Sequence, residues 1–245
     1  MVVKRRIAFF EASKANPEQV ENVVVMVRII QTTDEDVKHS IAASTNSQTP
    51  INVRDLKAND RLQRQLEDSF ADLGFYYERK ANQHAGRARL ERVDALSAGQ
   101  SFLGYGLGLP EVAKKDRGRV FGNLYDTIFT DETSAPMLLT SSKLVALINT
   151  EKTLVRSKLR TGDEIAPGEQ SLIDGAFHVL FAIKQICLRE GMDIWDFEAA
   201  SSVLSEAKTI VFDLFEAERA KSDTFTANQF FKDSRTKDMV TRAVG

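Results

Sequence analysis

Apolar and polar positions alternate with different periods along this chain, and the change of period locates its elements. Residues 5 to 15, "RRIAFFEASKA", carry apolar side chains at helical spacing until "NP" interrupts them. The β-branched run "ENVVVMVRIIQ" that follows predicts a buried strand. "TTDEDVKHSIAAST" opens with a Thr cap and early acids and predicts a helix ending near Ser44, with Val37, Ile41 and Ala42 on one face. After the turn-like "NSQTPIN", the stretch from Val53 to Leu73 repeats Leu56, Leu62, Leu66, Phe70 and Leu73 between charges, which predicts one amphipathic helix closed by Gly74.

"FYYERK" then has the aromatic content of a short strand, so Glu78 and Lys80 are expected on the same side of it. From about residue 88 onward only helical periodicity is found, broken at "GYGLGLP", "DRGR", "TDETSAP" and "TGDEIAPGE". Long apolar-periodic segments at about 136–158, 168–190 and 193–219, with a final helix after "SDTFTANQ", predict a bundle. The expected class is α+β, mainly α: an α/β portion at 1–85 with a small β element, then a helical bundle domain at 86–245.

Composition changes this picture little. At 245 residues, 42% hydrophobic, 28% charged and a formal net charge of −2, the chain reads as ordinary globular protein and not as a globally basic nucleic-acid binder. Its local charge is uneven. Residues 76–119 carry nine Lys/Arg against five Asp/Glu, whereas 120–217 carry eight against fifteen, so any contact with phosphates has to come from a patch in the first half. The single Cys187 lies in the apolar run "HVLFAIKQICL" and is expected to be a small buried hydrophobe, which fits a cytosolic setting. The opening "MVVKRRIAFFEASKANPEQ" has too short an apolar run for a signal sequence, and no membrane span is expected.

Three polar features bear on chemistry. Glu78 and Lys80 form a Glu-x-Lys, the pattern of a metal-dependent nuclease in which a carboxylate holds a cation and an ammonium orients water. Such a site also needs an upstream Asp, and Asp55, Asp60, Asp68 and Asp72 all fall on the predicted amphipathic helix. The loop "TNSQTPINVRDL" is the second feature. Its Asn46 and Gln48 can hydrogen-bond a nucleotide or simply cap and close a loop, and Asp55 can pair with Arg54 or cap the next helix. His39, His84 and His178 are too dispersed for a zinc site, and no metal site is assigned. "GYGLGLP" lacks the Lys-Ser/Thr of a phosphate-binding loop.

Taken in order, "RRIAFFEASK", "VENVVVMVRII", "ASTNSQTPINVRDLKANDRLQRQLEDSF" and "FYYERKANQHAGR" resemble the AIPR family, bacterial abortive-infection phage-resistance proteins, through Asn46, Ser47, Gln48, Asp55, Asn59, Tyr77, Glu78 and Arg79. The family's Asn-Gly-x-Gln-Thr and Asn-Asn-Gly elements are not found, and "KANQHAGR" stands where the family has Arg-Gly. The resemblance therefore implies a C-terminal portion of a longer protein, whose upstream half would be its partner. It also implies a cytoplasmic recognition or regulatory module contacting nucleic acid or nucleotide. The candidate polar surface is Asn46, Gln48, Arg54, Asp55, Tyr77, Glu78, Arg79 and Lys80.

Two alternatives stay open: a nuclease using Glu78 and Lys80, and a purely structural domain in which a buried pair such as Arg79 with Asp55 stabilises the fold. Mg or Mn enters only under the nuclease or nucleotide reading. A more distant likeness links Asn46-x-Gln48 to the Glu-Asn-x-Gln-Arg element of ParB-like nucleotide-binding folds, with Thr45 in place of the Glu and Thr49 in place of the Arg.

Overall fold

In a computed structural model the chain divides into two compact units, Met1–Asn52 and Val53–Gly245. The structure describes residues 53–245 apart from 116, together with Thr33 and Val37. The predicted helix at 5–15, the strand that follows it, all of the next predicted helix but Thr33 and Val37, and the loop bearing Asn46 and Gln48 lie outside the described residues.

The second unit opens with α1 (Val53–Lys57) and α2 (Arg61–Asp72) in place of the single helix the apolar spacing predicts. Asn59 and Asp60 account for the break. The Asp60 side chain accepts from the Leu62 amide at 3.4 Å and starts a new helix, while Gly74 takes the left-handed conformation (φ +80°) after α2. Leu66 and Phe70, four apart, bury the inner face of α2, and Phe70 stacks on Tyr77 with ring centroids 4.8 Å apart.

Tyr77 belongs to β1 (Tyr76–Glu78), which pairs in parallel with β2 (Arg92–Asp94) in the register Tyr76↔Arg92, Tyr77↔Val93, Glu78↔Asp94. The second strand lies in a region where the sequence shows only helical periodicity, because three residues are too few to display a period of two. β1 also ends at Glu78. Glu78 is buried and Lys80 exposed, so the expectation that both point the same way is corrected.

The remainder is helical: α3 (Ala95–Gly104), α4 (Pro110–Lys115), α5 (Tyr125–Ile128), α6 (Ala135–Thr161), α7 (Leu172–Arg189), α8 (Phe197–Ser202), α9 (Leu204–Arg219), α10 (Ala227–Phe230) and α11 (Ser234–Val244). The expected mainly α class with a small β element is what the fold shows. The periodic segment at 193–219 is divided at Val203 between α8 and α9.

α6 begins with Pro136 in its first turn and stops at Gly162, whose amide bonds the Lys158 carbonyl in a left-handed cap. α7 is the central helix, with Val179, Leu180, Ile183, Ile186 and Cys187 fully buried. By length and composition the segment Glu169–Arg189 is apolar enough to cross a membrane, but here it packs against α6, α9 and α11 as the middle of the bundle. Two hydrophobic clusters, one around β1, β2 and α3 and one around α7, are joined by Phe177 and Trp195, which pack on both. Trp195 stacks near Phe102 and meets Tyr105 edge-on, while its carbonyl accepts from Thr140 at 2.8 Å.

Candidate functional site

The polar residues that stand out in the sequence converge on the strand pair, and most of their hydrogen-bonding capacity is turned inward. Arg54 on α1 is 5% exposed. Its Nε donates to the Arg79 carbonyl at 2.9 Å and its Nη2 to the Glu78 carbonyl at 2.5 Å, capping β1 where the ladder stops. The same Nη2 lies 2.6 Å from Asp94 Oδ2. One guanidinium thereby ties α1 to the ends of both strands.

Asp94 is also the N-cap of α3, its Oδ1 accepting from the Ser97 amide and hydroxyl at 2.9 Å each, with Arg117 Nη2 at 3.3 Å. Burial alone would raise its pKa; the Ser97 amide and the Arg54 charge outweigh that and hold the carboxyl below the usual Asp range. Glu78 is 4% exposed and accepts on Oε1 from the His84 amide at 3.1 Å and from Arg92 Nη1 at 3.2 Å.

Arg79 makes a second clamp. Its Nε donates to Glu67 Oε2 at 2.8 Å, and its Nη1 bonds the Ala58 carbonyl and, at 3.3 Å, Asn59 Oδ1. Gln83 completes the arrangement by donating to Glu67 Oε1 at 2.6 Å while accepting from the Lys80 amide. Tyr77 donates to Gln63 Oε1 at 3.1 Å, and burial pushes its hydroxyl pKa well above the ordinary tyrosine value.

Arg54, Tyr77, Glu78 and Arg79 are therefore brought together, whereas Asp55 is exposed on α1 and Lys80 is exposed beyond the strand. The expected pairing of Arg79 with Asp55 is replaced by Arg79 with Glu67, because Asp55 sits on the outer face of its helix and Glu67 lies on α2, which flanks β1. Asn46 and Gln48 lie outside the described residues. Sequence reasoning missed Glu67, Arg92 and Asp94; of these only Asp94 left a signal, an Asp three residues before Ser97 at the start of an apolar helix.

Glu78 and Asp94 are register partners on adjacent strands, a placement of two carboxylates of the kind a metal-assisted reaction uses. Arg92 bonds the first, while Arg54 and Arg117 bond the second, so guanidinium groups already neutralise both carboxylates. Among the described residues no group of three or more His, Cys, Asp and Glu is placed to hold a metal ion. The arrangement is suited to fixing backbone geometry.

Outward chemistry lies beside it. Residues 85–91 are exposed, and Arg87 lies over the Tyr76 ring at 4.5 Å. A groove of about 600 Å³ runs between the β2–α3 corner and α6, lined by Arg89, Arg92, Lys143, Asn149 and the hydroxyls of Ser142 and Thr153. Ser142 and Thr153 donate to carbonyls four residues back on α6, and Arg92 is paired with Glu78, leaving Arg89, Lys143 and the Asn149 amide as donors toward a ligand. A second cleft of about 450 Å³ adjoins it and shares Ser97, Ser101, Val145 and Asn149 with it.

Fold and site together define a mainly helical protein whose short parallel strand pair is locked by buried arginines. The family model described as AIPR protein matches residues 7–102, the N-terminal part of this chain and not its C-terminal part. It takes in α1, α2, both strands and most of α3. No curated protein and no solved structure matches the chain.

Proposed function

We propose that this chain is a recognition module of an AIPR-like phage-defence protein and that it contacts nucleic acid through the exposed basic segment following β1. The carrying observation is a division of labour among the cations around the strands. Arg54, Arg79 and Arg92 are ion-paired inside the fold, whereas the side chains of Lys80, Arg87 and Arg89 are exposed and, among the described residues, make no ion pair. Arg87 is held on Tyr76, and Arg89 faces the groove that Lys143 also lines.

A row of unneutralised cations beside a groove is the footprint of phosphate-backbone contact, and contacts of that kind position a strand without reading its bases. Binding of a fluorescent oligonucleotide, measured across a salt series, tests the reading. Affinity is expected to fall steeply with added salt; a flat response would remove it.

A further inference from the structure

We propose that the second cleft, enclosed by α3, α4, α6 and α7, binds a terminal phosphate, the dianionic group of a nucleotide-type ligand. Four cations line it: Lys114 at the end of α4, Arg117 in the turn after it, and Lys152 and Arg156 on α6. Lys114 Nζ is paired with Asp174 at 2.7 Å, and Arg117 is held by Asp94 at 3.3 Å and by Ser97 Oγ at 2.6 Å. Among the described residues Lys152 and Arg156, four apart and so on one face of α6, make no ion pair; Lys152 is half-buried and Arg156 exposed.

Two like charges facing a partly closed space is an arrangement a bare protein has reason to avoid and an anion relieves. Burial first, then Arg156 and Lys114, holds the Lys152 ammonium below the ordinary lysine range, with Asp174 opposing.

The stoichiometry selects the ligand. Lys114 is offset by Asp174, and Arg117 shares the Asp94 carboxylate with Arg54, so Lys152 and Arg156 leave a surplus of at least about two positive charges; that suits a terminal phosphate, which carries roughly −1.5 to −2 near neutral pH, better than a singly charged internal phosphodiester. The remaining walls are apolar at Ile148, Ile173 and Phe177 and amide-bearing at Gln100 and Asn149, the mixed lining a nucleoside needs. Gln100 Nε2 donates to the Ala113 carbonyl at 2.7 Å, which fixes the amide, while its side-chain oxygen accepts no hydrogen bond among the described residues. Because the cleft opens onto the larger groove at Ser97 and Asn149, the phosphate can belong to a free nucleotide or to the end of a strand lying in that groove.

Calorimetry and thermal shift of the full chain with ADP, inorganic pyrophosphate and adenosine test this. ADP and pyrophosphate are expected to bind saturably and raise Tm, and adenosine to do neither. The double substitution Lys152→Met with Arg156→Gln is expected to weaken both phosphates by at least about tenfold without lowering the Tm of the unliganded protein, while Lys152→Arg retains binding. No saturable binding, or unchanged affinity in the double variant, would overturn the proposal. A 5′-phosphorylated oligonucleotide binding more tightly than its 5′-hydroxyl counterpart assigns the site to strand ends, and equal binding assigns it to free nucleotide. ADP binding does not require the exposed segment after β1, so either proposal can fail while the other stands.

Discussion

Arg54 and Asp94, forty residues apart in sequence, meet at 2.6 Å with side chains only 6% and 16% exposed. That pair joins the first helix of the unit to the second strand. Its guanidinium also bonds the two carbonyls at the end of the first strand. A stretch of sequence that reads as reactive chemistry is for the most part a buried clamp.

Removing the cation should therefore be costly. Arg54→Met is expected to destabilise the protein by about 3–5 kcal/mol, because it leaves a half-buried carboxylate and two strand-end carbonyls without their partner. Urea denaturation measures it. A loss below about 1 kcal/mol would mean the clamp is incidental.

Asp94 gives this clamp an acid limit. Its carboxyl is held below the unfolded value of about 3.9, so its contribution is fully present above that pH and is lost as pH falls through the depressed native value. Asp94→Asn should lower stability at neutral pH and remove the part of the pH dependence lying below about pH 4. The measurement is Tm against pH for both proteins.

His178 controls a different window. It is fully buried beside Phe231, neither ring nitrogen has a hydrogen-bond partner among the described residues, and burial, with Lys114 adding to it, pushes its pKa down to about 3. The unfolded chain takes up the proton near pH 6.5 and the native state does not, so stability falls as pH drops from about 6.5 toward 3, reaching a penalty of about 2 kcal/mol at pH 5. His178→Leu should abolish that slope and leave neutral-pH stability equal or higher. Chemical denaturation at pH 7 and pH 5 decides it.

Gly168 tests the joint between α6 and α7. It has φ +74°, and an added Cβ would come within 2.7 Å of the Phe212 Cβ and 2.9 Å of its carbonyl oxygen. Gly168→Ala is expected to cost about 2–4 kcal/mol from left-handed strain and backbone overpacking together. Gly162→Ala, with nothing within 4 Å of the added carbon, should cost only the conformational part, about 1 kcal/mol.

How much of this was written in the sequence differs by element. The long helices were legible because α6 and α7 carry sustained apolar spacing and end at Gly162 and near Gly191. The aromatic density of "FYYERK" located β1, but its partner did not show, since "RVD" is three residues long and two of them are charged.

The candidate residues were found by type and missed in role. Arg54, Glu78 and Arg79 are pointed inward by tertiary pairing with Asp94, Arg92 and Glu67, residues with nothing local to single them out. The basic cleft was hidden for the same reason. Lys114, Arg117, Lys152 and Arg156 come from segments far apart in sequence, the last two from the stretch with a net acidic count.

The most direct test of nucleic-acid recognition compares the salt dependence of oligonucleotide binding for the wild type and an Arg87→Ala, Arg89→Ala double variant. Losing two phosphate contacts should weaken binding for all sequences alike and make the slope of log K against log salt shallower by about 1.4 on single strands or about 1.8 on duplex. An unchanged slope and affinity, in a variant whose Tm matches the wild type, would contradict the account.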